Sequence, residues 1–160
     1  MATGEAPAPK LAAVIRAENT LTGLAREDRA AVVKALMQNL VETGRITKAN
    51  ASAALKLVQQ RESLGSTAIG GGVALPHARV GFGDAPSVAF GLLGNGTGFK
   101  PLDGAPVRYV FLILTSKDDD ALHVALLRAI TKFVKDPIHL KALASCKTSE
   151  EVGAVFVDYA

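Results

Sequence analysis

Between Asp28 and Thr43 the apolar residues fall at Val32, Leu36 and Leu40, and again at Val33, Met37 and Val41. Steps of four stack side chains along one side of a helix, and two adjacent rows make one buried face, so this spacing predicts an amphipathic helix over 28–43. Gly44 follows where a left-handed residue commonly closes a helix. Thr47 offers a side-chain oxygen to free amides and opens a second predicted helix over 48–63, with Ala51, Leu55 and Val58 on its apolar face and Gly65 ending it. The period then changes. The runs 87-SVAFGLLG-94 and 107-VRYVFLIL-114 are rich in β-branched and aromatic residues and bounded by Gly, Pro and Asn, which predicts buried strands. The stretch between them, 95-NGTGFKPLDGAPV-107, is turn chemistry, clearest at Asp103-Gly104. Helical spacing returns over 120–136, where Asp119 or Asp120 can cap the amino end and Pro137 stops the helix. Two short closing helices are expected at 137–144 and 149–159. The expected fold class is α/β, a sheet covered by helices.

Composition narrows the function more than the fold. A chain of 160 residues has the length of one domain able to bury a core. Residues 1–10 are Ala/Pro/Gly-rich and expected to form a mobile tail, leaving 11–160 as the domain. Lys and Arg number 18 against 15 Asp and Glu, a net charge of +3, and the basic residues are scattered. With no Trp, two Tyr and no basic stripe, nucleic-acid binding is not expected. The single cysteine, Cys146, excludes an internal disulfide and argues against a cysteine metal site. It lies in the link 144-ASCKTSEEV and reads as a small, half-buried residue. No basic n-region precedes an apolar segment, and no apolar run approaches a membrane span, so a cytoplasmic, not membrane-inserted protein is expected.

The chemistry concentrates in 61-RESLGSTAIGGGVALPHARV-80. Gly65 and Gly70 have the spacing that opens a Walker A motif, but Gly71 and Gly72 stand where its lysine and hydroxyl belong, so the phosphate-loop reading fails. The stretch 94-GNGTG-98 neither opens a helix nor has a suitably spaced acidic partner, so the dinucleotide reading fails too. What remains is a flexible loop with hydroxyls at Ser66 and Thr67, then a short apolar strand expected to end on Pro76-His77. Glycines let backbone amides approach an anion closely, and hydroxyls add donors. A neutral imidazole is a nucleophile near pH 7, so His77 can accept a phosphoryl group on one nitrogen if an acceptor such as a backbone carbonyl holds the other. Burial in the core is the competing reading. Phosphoryl transfer depends mostly on positioning and charge stabilisation, so donors and cations should converge on His77. Arg61, just before the loop, and Arg79, two residues along the strand and on the same face, could do this. Either could equally be a solvated surface arginine. His123 opens the helix at 120 on a stripe with Leu127 and Ile130, where it is either half-buried packing or a neutral donor to the same phosphate. His139 has no such context and is placed at the surface or a helix edge. No two histidines are spaced to share a metal on one element, so neither metal nor cofactor is expected.

These residues resemble one family closely. Arg-Glu, Leu-Gly-Ser-Thr, Gly-x-Gly and Ala-aliphatic-Pro-His, followed by 101-PLDGAPV-107, an apolar strand and a helix opening on His-aliphatic, are similar to the EIIA proteins of the bacterial phosphotransferase system. The matching class is fructose/mannitol and nitrogen-regulatory, and the likeness runs from about Leu11 to the end. It implies a mixed central sheet with helices on both faces. It implies that His77 is transiently phosphorylated, that His123 is the second active-site histidine, and that Arg61, Ser66 and Thr67 help hold the phosphoryl group. The implied donor is HPr or its nitrogen-branch relative, and the acceptor an EIIB cysteine or, through signalling, a regulated transporter or kinase. Two departures bear on partners: Ala78 follows the histidine where close relatives have glycine, and 115-TSKDDDA-121 is acidic and lacks a proline. The GST-x-IG-x-G pattern, with no EIIB, HPr or transporter segment alongside, points to the nitrogen-regulatory branch. A sugar-specific EIIA and a binding module acting by contact alone are the alternatives.

Overall fold

A computed structural model describes residues 9–24, 29–82, 86–94 and 106–159. The expected tail up to residue 8, the turn at Asp103-Gly104 and Asp28 lie outside the described residues. In chain order the elements are α1 (Leu11–Val14), a short 3-10 turn (Ala17–Asn19), β1 (Thr20–Leu24), α2 (Arg29–Glu42), α3 (Lys48–Ser63), β2 (Ala68–Gly70), β3 (Val73–Ala74), β4 (His77–Val80), β5 (Ser87–Leu93), β6 (Tyr109–Ser116), α4 (Asp120–Val134), α5 (Pro137–Ala144) and α6 (Ser149–Tyr159). The caps agree with the residues that signalled them. Thr47 Oγ1 accepts the Asn50 N–H, Asp119 accepts the Leu122 N–H, and Gly44 closes α2 at φ +75°.

The sheet is mixed, in the order β1-β5-β6-β3-β2, with β4 also pairing with β6. β5 and β6 run antiparallel through the centre, with Phe90 opposite Phe111. Side chains alternate along a strand, so these two strands feed both layers. Phe90, Phe111 and Ile113 pack with Leu126, Ile130, Phe133 and Phe156 from α4 and α6. Ala89, Leu112 and Leu114 pack with Leu36, Leu40, Ala54 and Val58 from α2 and α3. Both strands are therefore covered on both faces, which is why their sequences are apolar throughout rather than alternating. Each fully buried Leu, Ile or Phe contributes roughly 1.5–3 kcal/mol relative to exposure.

Two strand expectations need correction. The final strand runs over 109–116 rather than 107–114, because Arg108 and Tyr109 first donate their N–H groups to the Gly72 carbonyl and only then enter the ladder. The apolar strand does not end on His77. Val73 and Ala74 pair with Tyr109 and Val110, the chain breaks at Leu75-Pro76, and His77 starts a new segment that pairs with Ile113 in the same register along β6. Pro76 has no N–H to give, but its carbonyl accepts the Ile113 N–H at 3.0 Å, so one long neighbour supports strand on both sides of the proline. β1 was not anticipated. Thr20-Leu-Thr-Gly-Leu24 is short and interrupted by Gly23 at φ +66°, and it becomes a strand by pairing parallel to β5. Beside it, Asn19 donates to Asn39 Oδ1 and Thr43 Oγ1, a buried polar tie between this edge and α2.

Candidate functional site

The glycine loop is a tight hairpin. β2 and β3 pair antiparallel, and Gly71 and Gly72 between them have φ of +65° and +80°. Two successive positive φ values are what a two-residue turn between twisted strands requires, and glycine accepts them without strain. The hairpin is extended by the Leu75 N–H, which donates to the Thr67 carbonyl at 3.1 Å.

Leu75 then turns its own carbonyl to the histidine. His77 Nδ1 lies 2.7 Å from Leu75 O. A carbonyl can only accept, so Nδ1 carries the proton, and in the neutral ring Nε2 is left with its lone pair. This is the tautomer a nucleophilic Nε2 needs. The ring is half-buried at the start of β4. Ala78 and Val80 face the α2/α3 layer, while His77 and Arg79 share the opposite face with their register partners Ile113 and Thr115.

That face brings His123 into the site. It occupies the first turn of α4, and its ring centroid is 5.7 Å from that of His77 with the planes inclined by 49°. His123 Nδ1 lies 2.6 Å from Thr115 Oγ1, a hydroxyl at 1% exposure on the neighbouring strand. Burial lowers the His123 pKa from its ordinary value. The Arg79 cation, and His77 when it carries a proton, lower it further, against a smaller upward pull from Asp120. The ring is therefore neutral at pH 7.

Arg79 stands on the same face and is largely engaged. It donates to the carbonyls of Ser116 and Lys117 at 3.0 and 3.3 Å and pairs with the Asp120 carboxylate, while its buried Nε has no hydrogen-bond partner among the described residues. Thus the acidic stretch before α4 is partly accounted for locally: Asp119 caps the helix and Asp120 holds Arg79. Arg61, in the last turn of α3, donates to the Gly65 carbonyl at 3.0 Å. Ser66 Oγ accepts the Ala68 N–H at 3.1 Å. Thr67 donates its hydroxyl to Glu62 and lies buried beneath the loop. The described contacts therefore join His77, His123 and Thr115, set Arg79 on the same face where its charge acts on His123, and join the loop to His77 through Leu75. Arg61 and Ser66 bond to Gly65 and Ala68 of the loop.

Of the two expectations for His139 the helix edge fits, since it lies half-buried in the first turn of α5. Its ring stacks on Phe133 with centroids 4.4 Å apart, and Nδ1 donates to the Phe133 carbonyl at 2.7 Å. Sequence reasoning also missed Thr115 and the Leu75 carbonyl. Thr115 had a readable signal, a hydroxyl ending an apolar strand. A backbone carbonyl leaves none. Cys146 is buried in the α5–α6 link rather than half-buried as expected, and burial pushes its thiol pKa up. Among the described residues no group of three or more His, Cys, Asp or Glu could hold a metal ion, and no helix is long and apolar enough to cross a membrane.

The fold is shared with solved structures, and the family is shown by sequence. The architecture superposes on the nitrogen regulatory protein IIA-Ntr of Neisseria meningitidis with a TM-score of 0.80 at 22% identity, covering 91% of this chain and 98% of that one. Residues 13–158 match the family model described as phosphoenolpyruvate-dependent sugar phosphotransferase system, EIIA 2, and the chain belongs to that family. It is 30% identical over 122 residues to a nitrogen regulatory protein of Bradyrhizobium diazoefficiens, covering 76% of this chain and 80% of that protein. It is 36% identical over 87 residues to the fructose-specific EIIABC component of Bacillus subtilis, covering 54% of this chain but 14% of that larger protein. Membership makes this a phosphoryl-transfer component of the phosphotransferase system, with relatives on both its nitrogen-regulatory and its sugar side.

Proposed function

We infer that the chain is a histidine phosphocarrier of the nitrogen-regulatory kind, accepting a phosphoryl group on Nε2 of His77. The observation that carries this reading is the 2.7 Å contact from His77 Nδ1 to the Leu75 carbonyl, which leaves Nε2 as the nucleophile. In the accepting step the Nε2 lone pair forms a bond to phosphorus while the nitrogen–phosphorus bond of the donor's phosphohistidine breaks, its electron pair returning to the donor ring. The donor is HPr or a nitrogen-branch relative. The Nδ1 proton stays on His77, and the Leu75 carbonyl accommodates the positive character that the phosphorylated ring acquires.

His123 serves as a neutral donor. With the Thr115 hydroxyl donating to Nδ1, the proton of the ring sits on Nε2, available to the phosphoryl oxygens. Arg79, Arg61 and Ser66 supply the surrounding charge and donors, Arg79 by exchanging its exposed partner Asp120 for the phosphoryl group. The domain, 11–160, acts in the cytoplasm and passes the group to an EIIB cysteine or signals by its phosphorylation state to a transporter or kinase. The fructose-specific relative supports a second reading, a sugar-specific EIIA in which the EIIB cysteine is the obligatory acceptor.

The test is intact mass after incubation with phosphoenolpyruvate, enzyme I and each phosphocarrier in turn. One acid-labile phosphoryl group on wild type and none on His77→Ala is the expected result. Equal labelling of both proteins would move the acceptor elsewhere, and no labelling from any donor would leave a contact-only module.

A further inference from the structure

Thr67 matches a loop hydroxyl of the family, yet its proton is donated to Oε1 of Glu62 at the end of α3. Both residues are buried, at 5% and 7% exposure. Glu62 Oε2 is also buried, has no hydrogen-bond partner among the described residues, and lies 3.6 Å from Arg29 Nη1. A buried carboxylate with one oxygen short of donors is a poor way to stabilise a domain, and an apolar pair of similar volume would pack as well. Its geometry offers a better account. Glu62 is anchored in a four-turn helix, and it grips Thr67 immediately before β2. The Thr67 carbonyl in turn accepts the Leu75 N–H, and the Leu75 carbonyl accepts the His77 Nδ1 proton. Pro76 intervenes and has no N–H, so it can give this turn no ladder bond from its own nitrogen. The Leu75 carbonyl is therefore aimed from two sides, by the β6 ladder at Ala74 and Pro76 and by α3 through Thr67.

We propose that Glu62 and Thr67 are positioning residues for phosphoryl transfer, a brace that holds the Leu75 carbonyl against His77 and so keeps the ring in the tautomer with a free Nε2. The proposal rests on the reading of His77 as acceptor, and it takes Thr67 out of the set that touches the phosphoryl group. The hydroxyl is the feature that matters, so Thr67→Ser should preserve the brace and Thr67→Val should release it. Glu62→Leu removes the acceptor while filling the same buried space, and provides a second variant should Thr67→Val fold poorly.

The deciding measurement is the ring-nitrogen spectrum of His77 by long-range proton–nitrogen NMR on the full chain, at a pH where the ring is neutral, beside the rate of phosphoryl uptake. Wild type and Thr67→Ser should show a single tautomer with the proton on Nδ1. Folded Thr67→Val and Glu62→Leu should show mixed tautomers and uptake slowed roughly fivefold, in proportion to the competent fraction. A folded Thr67→Val or Glu62→Leu that keeps the single tautomer overturns the brace. If uptake is nevertheless slow in such a protein, Thr67 acts on the phosphoryl group itself. Wild type that takes no phosphoryl group defeats the acceptor reading instead, and the tautomer spectra still decide the brace on their own.

Discussion

His123 and His139 occupy nearly the same local position. Each lies in the first turn of a helix, each is half-buried, and each has Nδ1 in a hydrogen bond. Their surroundings separate them. The Nδ1 of His139 donates to the Phe133 carbonyl near the end of α4, the ring face is covered by Phe133, and the nearby charge is the Asp136 carboxylate at 3.7 Å from Nε2. His123 instead meets a hydroxyl from a strand, an arginine and a second histidine. The first arrangement ties α4 to α5. The second places a neutral ring where a charged ligand on His77 would come within reach. Position in a helix therefore does not separate these two histidines, and the elements packed against them do.

The largest expected contrast is in phosphoryl uptake among single alanine variants followed by mass and circular dichroism. His77→Ala should lose uptake altogether with its helical signal intact, and a collapsed fold would assign His77 to packing. His123→Ala should remain folded and slow uptake by about 10²-fold, as loss of a positioned donor does. An unchanged rate would remove it from the site. His139→Ala should leave uptake at the wild-type rate while costing about 1–2 kcal/mol in urea unfolding, through the lost stack and hydrogen bond. Slow uptake in that variant would erase the distinction between the two regions.

A finer contrast lies in pH. The folded His123 pKa is depressed, so between that value and the ordinary value of about 6.5 the unfolded chain binds a proton that the folded chain does not. Its contribution to stability is complete above the unfolded value and is lost as pH falls through the folded one. Melting temperatures from pH 7 to pH 5 should therefore fall less steeply in His123→Gln than in wild type. Parallel curves would mean that its surroundings do not hold the ring neutral. The smallest effect is expected from Asp120→Asn. Asp120 is 81% exposed, so removing its pair with Arg79 should change stability by no more than about 1 kcal/mol. The same change takes away a carboxylate that raises the His123 pKa, so a proton-NMR titration should find His123 titrating lower still.

Much was determined by the sequence alone. The helices at α2, α3 and α4, the two buried central strands and the hairpin glycines follow from periods and caps that neighbouring residues express without help from afar. The Ser-Thr hydroxyls and Pro-His77 could likewise be read as a candidate site, because their chemistry is compressed into one short stretch. What lay beyond the sequence depends on contacts between distant segments. β1 and β4 are too short to be strands except beside β5 and β6, and His77 moved from the end of one strand to the start of another because β6 runs past the proline. The tautomer of His77 is set by a carbonyl, a group every residue possesses, so no residue type announces it. The approach of His123, the hold of Thr115 on that ring and the pairing of Arg79 with Asp120 arise only when α4 packs against the sheet. Local periodicity specifies elements, whereas protonation and the partners of a side chain are properties of the space that those elements enclose.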